Sequence, residues 1–314
     1  MNRIIVSALL FLMGAASMSA QTEKDYRDYF SEEELAQLEV YEDTLGLLGH
    51  LVVNDTSETR RLAACKQFIL KFKNALKVRN SFHYPFDQIK TLSIQQPEDG
   101  SFRIFTWQLY VDKEHYQYFG AIQMKADELK LYPLIDRSHQ VEDIEYDILK
   151  ADQWFGALYY NVHQFETNEG RKYLLFGYDA NSFFQKRKLI DVLSFRAEGP
   201  VFGAPVFANV ETGRRPVTKN RHLMQYSAES SVKLNFDELH NMIVFDHLVE
   251  MKGIPGQGMT AYPDGSYEGF KLQDGLWVYV DKLFHQINEE APREEPVLNV
   301  RGRTGKRKDL FGNQ

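Results

Sequence analysis

Apolar residues recur every three or four positions up to Leu76 and every second position after Pro85, and this one change of period divides the chain. The first spacing marks one face of a helix and the second marks one face of a strand. Helical character begins at Ser31, where the string SEEE offers an N-cap with Glu34 at the third helical position and further acids at the positive helix end. Leu38, Tyr41, Leu45, Leu48 and Val52 then fall on one stripe. Asn54, Asp55 and Thr56 break the pattern, and Asp55 with Glu58 offers a second capping box. Leu62, Cys65, Ile69, Phe72 and Leu76 repeat the spacing, with Arg60, Arg61 and several lysines off it. The expectation is an antiparallel helical hairpin over 21–80 with both stripes buried.

The region 81–290 reads as β-rich, because aromatic and β-branched residues accumulate there between turn signals. Strands are expected at 105–111, 116–124, 154–163, 172–178, 188–195, 201–208, 222–227, 232–236, 242–248, 267–272 and 276–280. The strings PEDG (97–100), NEG (168–170), PDG (263–265) and QDG (273–275) have the chemistry of tight turns. A propeller is disfavoured: Gly100, Gly170 and Gly265 lie much farther apart than the roughly 40 to 50 residues of a blade. The fold class expected is therefore α+β, with an N-terminal helical hairpin followed by a large antiparallel β-rich domain built as a sandwich, a barrel or curved sheets.

The two ends have characters of their own. Arg3, the apolar run Ile4 to Met13 and the small residues up to Ala20 have the order of a secretory signal peptide over 1–20, cleaved after Ala20 or Ser19. The apolar run is far shorter than the roughly 20 residues that span a bilayer, and no later segment reaches that length. Residues 291–314 lose periodicity and carry Arg301, Arg303, Lys306, Arg307 and Lys308, as expected of a basic, flexible tail. The expected address is periplasmic or secreted.

Charge and motifs exclude more than they assign. A net charge of −7 gives no general attraction for nucleic acid. A single cysteine, Cys65, excludes an intramolecular disulfide and a cysteine-rich zinc site, and its place on the helical stripe reads as an inert buried thiol. GxSxG, HExxH, GxxxxGK and EF-hand patterns are absent from the sequence, and GIPGQG (253–258) lacks dinucleotide-binding spacing. No cofactor or metal is expected.

The densest polar constellation is Asp237, Glu238, His240, Asp246 and His247. In a hairpin of 232–236 with 242–248, residues 237–241 form the turn, and the adjacent Asp246 and His247 point to opposite faces. His240 and Asp246 could converge as base and acid or on a metal, but their spacing fits turn and surface roles better. The remaining histidines, His50, His83, His115, His139, His163, His222 and His285, are scattered. Forty-two aromatic residues could furnish a glycan platform. In FGALYY, however, Phe155 and Tyr159 alternate with Leu158 and Tyr160 as core strand residues do.

WFGALYY (154–160), LLFGYDAN (174–181), IVFDHL (243–248) and YPDGSYEGF (262–270) resemble strings in exported proteins of Bacteroidota bacteria that have no assigned function. The resemblance spans most of the β region and implies a Gram-negative envelope or secreted location, with no catalytic residue. The expectation is an exported, non-enzymatic protein that binds another envelope component, either a protein or a glycan. The alternative is an envelope hydrolase acting on a glycan or peptide through carboxylate or Asp/His chemistry, whose residues meet only in the fold.

Overall fold

The computed structural model describes residues 25–112, 115–126, 128–209, 217–253 and 258–283. The expected signal peptide and basic tail lie outside these residues. Two helices come first, α1 (Glu32–Asn54) and α2 (Glu58–Leu76). A first sheet follows, with β1 (Ser93–Gln95), β2 (Phe102–Asp112), β3 (His115–Met124) and β4 (Leu131–Ile135) in sequential antiparallel order.

A central sheet contains β5 (Leu149–Lys150), β6 (Leu158–Thr167), β7 (Gly170–Asp179), β8 (Gln185–Arg196) and β9 (Gly199–Phe202), in the order β5-β9-β8-β7-β6. The third sheet receives β10 (Phe207–Asn209) and β11 (Val217–Lys219), while β12 (His222–Ser227) returns to pair with β8. The hairpins of β13 (Leu234–Asp237), β14 (Met242–Lys252), β15 (Met259–Gln273) and β16 (Leu276–Leu283) complete the third sheet. The fold is α+β, as expected, and none of the sheets closes into a barrel among the described residues. Among the described strands one pair departs from the antiparallel rule: β10 runs parallel to β16.

The layers follow from alternation along the strands. On β2, Phe105 and Trp107 face the helices and pack with Leu45, Phe68 and Phe72, while Phe102 and Ile104 face the central sheet. On β7, Tyr173 and Leu175 meet the first sheet, while Leu174 and Phe176 meet the third sheet through Ile243, Phe245 and Trp277. The stacking order is helices, first sheet, central sheet, third sheet. The central sheet is thus apolar on both faces.

The helix caps agree with the sequence at one end and correct it at the other. Ser31 Oγ accepts the Glu34 N–H at 3.2 Å and Glu34 returns a carboxylate oxygen to the Ser31 N–H at 2.9 Å, completing the capping box. Asp55 does not cap α2. That place belongs to Ser57, and Asp55 instead accepts from the Ser57 N–H and Arg60 Nε. Leu38, Leu45 and Val52 are buried as expected, but the α2 stripe is rotated. Cys65, Phe72 and Leu76 of the expected stripe are buried, Ile69 is 37% exposed, and Arg61, Ala64, Phe68 and Ala75 complete the buried face. The aromatic rings set this rotation, because Phe68 and Phe72 pack on Trp107 and Phe105 at centroid distances of 5.2 and 4.9 Å. Arg61, placed off the stripe by its charge, is buried because its guanidinium donates to the carbonyls of Asp55, Tyr110 and Val111.

Two turn and strand assignments also change. PDG (263–265) is not a hairpin turn but a wide bulge inside β15, where the pairing jumps from Asp246 with Tyr267 to Leu248 with Pro263. Gly265 permits it with φ +88°. The segment 201–208 does not form one strand, since β9 ends in the central sheet and β10 begins in the third.

Truncating Phe72 to Ala should cost about 3–5 kcal/mol in denaturant unfolding, whereas Ile69→Asp should cost less than about 1 kcal/mol. Equal losses would show that the stripe read from the sequence is the buried one.

Candidate functional site

Polar side chains gather where the first and central sheets open at one end. β3 brings Tyr116 and Tyr118, the turn after β4 brings Asp136 to His139, and the end of β7 brings Asp179 and Asn181, with Arg187 on β8. They line a cleft of about 520 Å³, within the size range of small-ligand sites.

Tyr118 links the layers: its hydroxyl donates to Asp179 Oδ1 at 3.1 Å and accepts the Ala180 N–H at 2.6 Å. Asp179 also accepts the Asn181 N–H at 2.8 Å, and Arg187 Nη1 lies 3.6 Å from its other oxygen. Burial pushes the Asp179 carboxyl above its ordinary value, against the pull of these partners. Asn181 holds φ +44°, a left-handed conformation that asparagine tolerates better than most residues.

Asp136 belongs to the scaffold of the same wall. It accepts the Tyr118 N–H at 2.9 Å, the Ser138 N–H at 3.0 Å and the Ser138 hydroxyl at 2.5 Å. Ser138 Oγ in turn accepts the Gly156 N–H at 2.9 Å. A Cβ at Gly156 would meet the Asp136 carboxylate at 2.6 Å, so only glycine lets the chain pass this close. The two carboxylates of the cleft are therefore engaged by donors, and the wall is an array of fixed donors and acceptors beside tyrosine rings. Tyr116 lies 5.4 Å from the Tyr110 ring, with Lys186 Nζ 5.6 Å from its own centroid.

The constellation singled out by sequence is dispersed. Asp237 closes its turn by accepting the His240 N–H at 3.2 Å and pairing with His240 Nδ1 at 3.1 Å. Asp246 is buried and accepts the Lys233 N–H. His247 instead pairs with Asp264 in the β15 bulge at 2.9 Å and lies 3.7 Å from Glu268, and the Asp264 hydrogen bond raises its pKa. Asp246 and His247 thus keep separate partners, as opposite faces require. Glu238 meets two residues far from it in the sequence, His163 of β6 and Glu98 of the PEDG turn. These three residues could hold a cation.

The other candidates resolve as structure. Phe155 and Tyr159 are buried between the first and central sheets, and Tyr160 turns the other way to donate to the Leu234 carbonyl. Leu158, expected to share Tyr160's face, packs on the same core as Tyr159. Cys65 is buried, which pushes its thiol up to about 11 and leaves it unreactive. His222 is walled by Phe207, Phe245 and Phe270, and burial pulls its pKa to about 3. His115 and His139 line the cleft, while His285 lies outside the described residues.

No local motif announces the cleft, because its walls come from segments dozens of residues apart. The nearest signal is LLFGYDAN, which contains Asp179 and Asn181.

Because the native Asp179 carboxyl is raised, its contribution to stability is greatest below the ordinary carboxylate value of 3.8 and is lost as pH rises through the raised value. The unfolding free energy of the wild type relative to Asp179→Asn should therefore fall over that interval and then level off. A difference independent of pH would contradict the burial assigned to Asp179.

Comparison with known proteins finds no matching family model, curated protein or solved structure.

Proposed function

We propose that this chain is an exported, non-enzymatic protein of the Gram-negative envelope that binds another envelope component, and that the component is a hydroxyl-rich glycan. The cleft carries the reading. The half-buried Tyr116 ring near Asp179, Asn181 and Arg187 suits a ligand with apolar ring faces and many hydroxyls, since each hydroxyl both donates and accepts. The order of charge, apolar run and small residues over 1–20 supports export. Among the described residues no helix is long and apolar enough to cross a membrane.

Hydrolysis is the second reading, favoured by one observation: Asp136 and Asp179 share the cleft, and burial holds Asp179 above its ordinary value. A carboxyl raised by burial is suited to the acid role in glycoside hydrolysis. Against it, Asp136 accepts hydrogen bonds on both of its oxygens and is not placed to attack or to take a proton without rearrangement.

The test is calorimetric titration of the mature chain with soluble neutral and acidic oligosaccharides, with each mixture assayed for new reducing ends. Binding without product, weakened about tenfold (about 1.4 kcal/mol) by Tyr116→Ala or Arg187→Met, is the expected result. Product formation abolished by Asp179→Asn would establish the hydrolase. Failure to retain any oligosaccharide, or recovery of the uncleaved chain from the cytoplasm of a Gram-negative host, would overturn the proposal.

A further inference from the structure

Two turns meet at the edge of the central sheet. β6 is the edge strand, so the turns of both outer sheets reach around it: PEDG before β2 from the first sheet, and Asp237–Asn241 before β14 from the third. Each approach is fixed by contacts other than the meeting itself. The Asp99 N–H donates to Gln164 Oε1 at 3.0 Å, and Gln164 Nε2 lies 3.4 Å from a Glu98 oxygen, which ties the first turn to β6. Asn161 Nδ2 donates to Asn235 Oδ1 at 2.7 Å, and the Phe236 ring stacks on His163 with centroids 3.5 Å apart and planes 17° from parallel. The imidazole is thereby held in one plane, with Trp277 edge-on at 6.3 Å.

We propose that Glu98, His163 and Glu238 form a binding site for a divalent first-row transition-metal cation. One ligand atom from each lies within 4.8 Å of the other two. A point in their midst is then at most about 2.8 Å from all three, against roughly 2.0–2.2 Å for zinc bonds to nitrogen and oxygen. The difference is closed by rotating the two glutamates, which are exposed and lie on turns. One imidazole nitrogen with two carboxylate oxygens is a borderline donor set that suits Zn²⁺ or Mn²⁺, with water completing the coordination. A dication cancels the repulsion between the carboxylates and joins the outer sheets across the central edge.

The other group of one histidine and two acids lacks this geometry. Asp264 is on the Nδ1 side of His247 and Glu268 on the Nε2 side, so no one point lies between all three ligand atoms.

The experiment is titration of the tag-free mature chain with Zn²⁺ by calorimetry, together with Mn²⁺-induced paramagnetic broadening of backbone amide signals. The expected result is one Zn²⁺ per chain, weakened at least tenfold in His163→Ala and in Glu238→Gln, with broadening at Asp99 and Leu239 together. Glu238→Gln changes an exposed turn residue and should keep the metal-free melting temperature, which separates lost ligation from lost folding. Zn²⁺ binding that is unchanged in Glu238→Gln, or that survives both variants and is lost in His247→Ala, would overturn the proposal. So would the absence of stoichiometric binding, or broadening confined to one of the two turns.

Discussion

A sheet covered on both faces by other sheets has no solvent for any polar side chain in its interior, and that constraint organises this molecule. β7 and β8 meet it with Leu174, Phe176, Ile190 and Val192 on one face and Leu175, Leu189 and Leu193 on the other. Asp191 is a charged exception, fully buried in the middle of β8. Its charge is compensated by Arg221, equally buried, whose Nη2 lies 2.9 Å from Asp191 Oδ1. Tyr159 donates to the second oxygen, and Trp154 Nε1 donates to Tyr159 in turn. Arg221 also donates to the Ile144 carbonyl. Such a pair costs desolvation on both sides and is worth most as a fixed register, since leaving either partner alone would cost about 3–5 kcal/mol. Here it fixes the start of β12 beside β8.

The same constraint decides where ligands can reach. With both faces of the central sheet closed, only its ends and edges meet solvent. The cleft opens at the end of β7 and the start of β8, and the Glu98, His163 and Glu238 cluster lies along the β6 edge. Both are assembled from several layers, so the packing that buries the sheet also sets the geometry of its rims. Asp136 illustrates this, because the hydrogen bonds that hold Tyr118 and Ser138 in place also shape the wall of the cleft.

The change of period at Pro85 and the alternation within strands were legible in the sequence because they depend on local spacing and burial. His222–Ser227 matches its observed strand at both ends, and Ser31 with Glu34 forms the expected cap. The misreadings arose where tertiary packing overrode spacing. Ile69 lost its place to Phe68 because two aromatic rings fit Trp107 and Phe105 better, and PDG became a bulge because β14 continues past it and keeps pairing with β15. The sites were the least legible. Tyr118, Asp136, Asp179 and Arg187 carry no mutual spacing, and Glu238 was visible only as one acid of a turn, without the His163 and Glu98 that the fold sets beside it.

Amide hydrogen exchange resolved by residue tests the dependence on the central sheet most directly, because it ranks the free energy at which each element opens. If the doubly covered sheet is what the other layers are built on, the amides of β7 and β8 should exchange last, at the free energy of global unfolding, with α1, α2 and the outer ends of β14 and β15 opening earlier. Exchange of β7 and β8 ahead of the helical hairpin would contradict the account and place the stable nucleus between the helices and the first sheet.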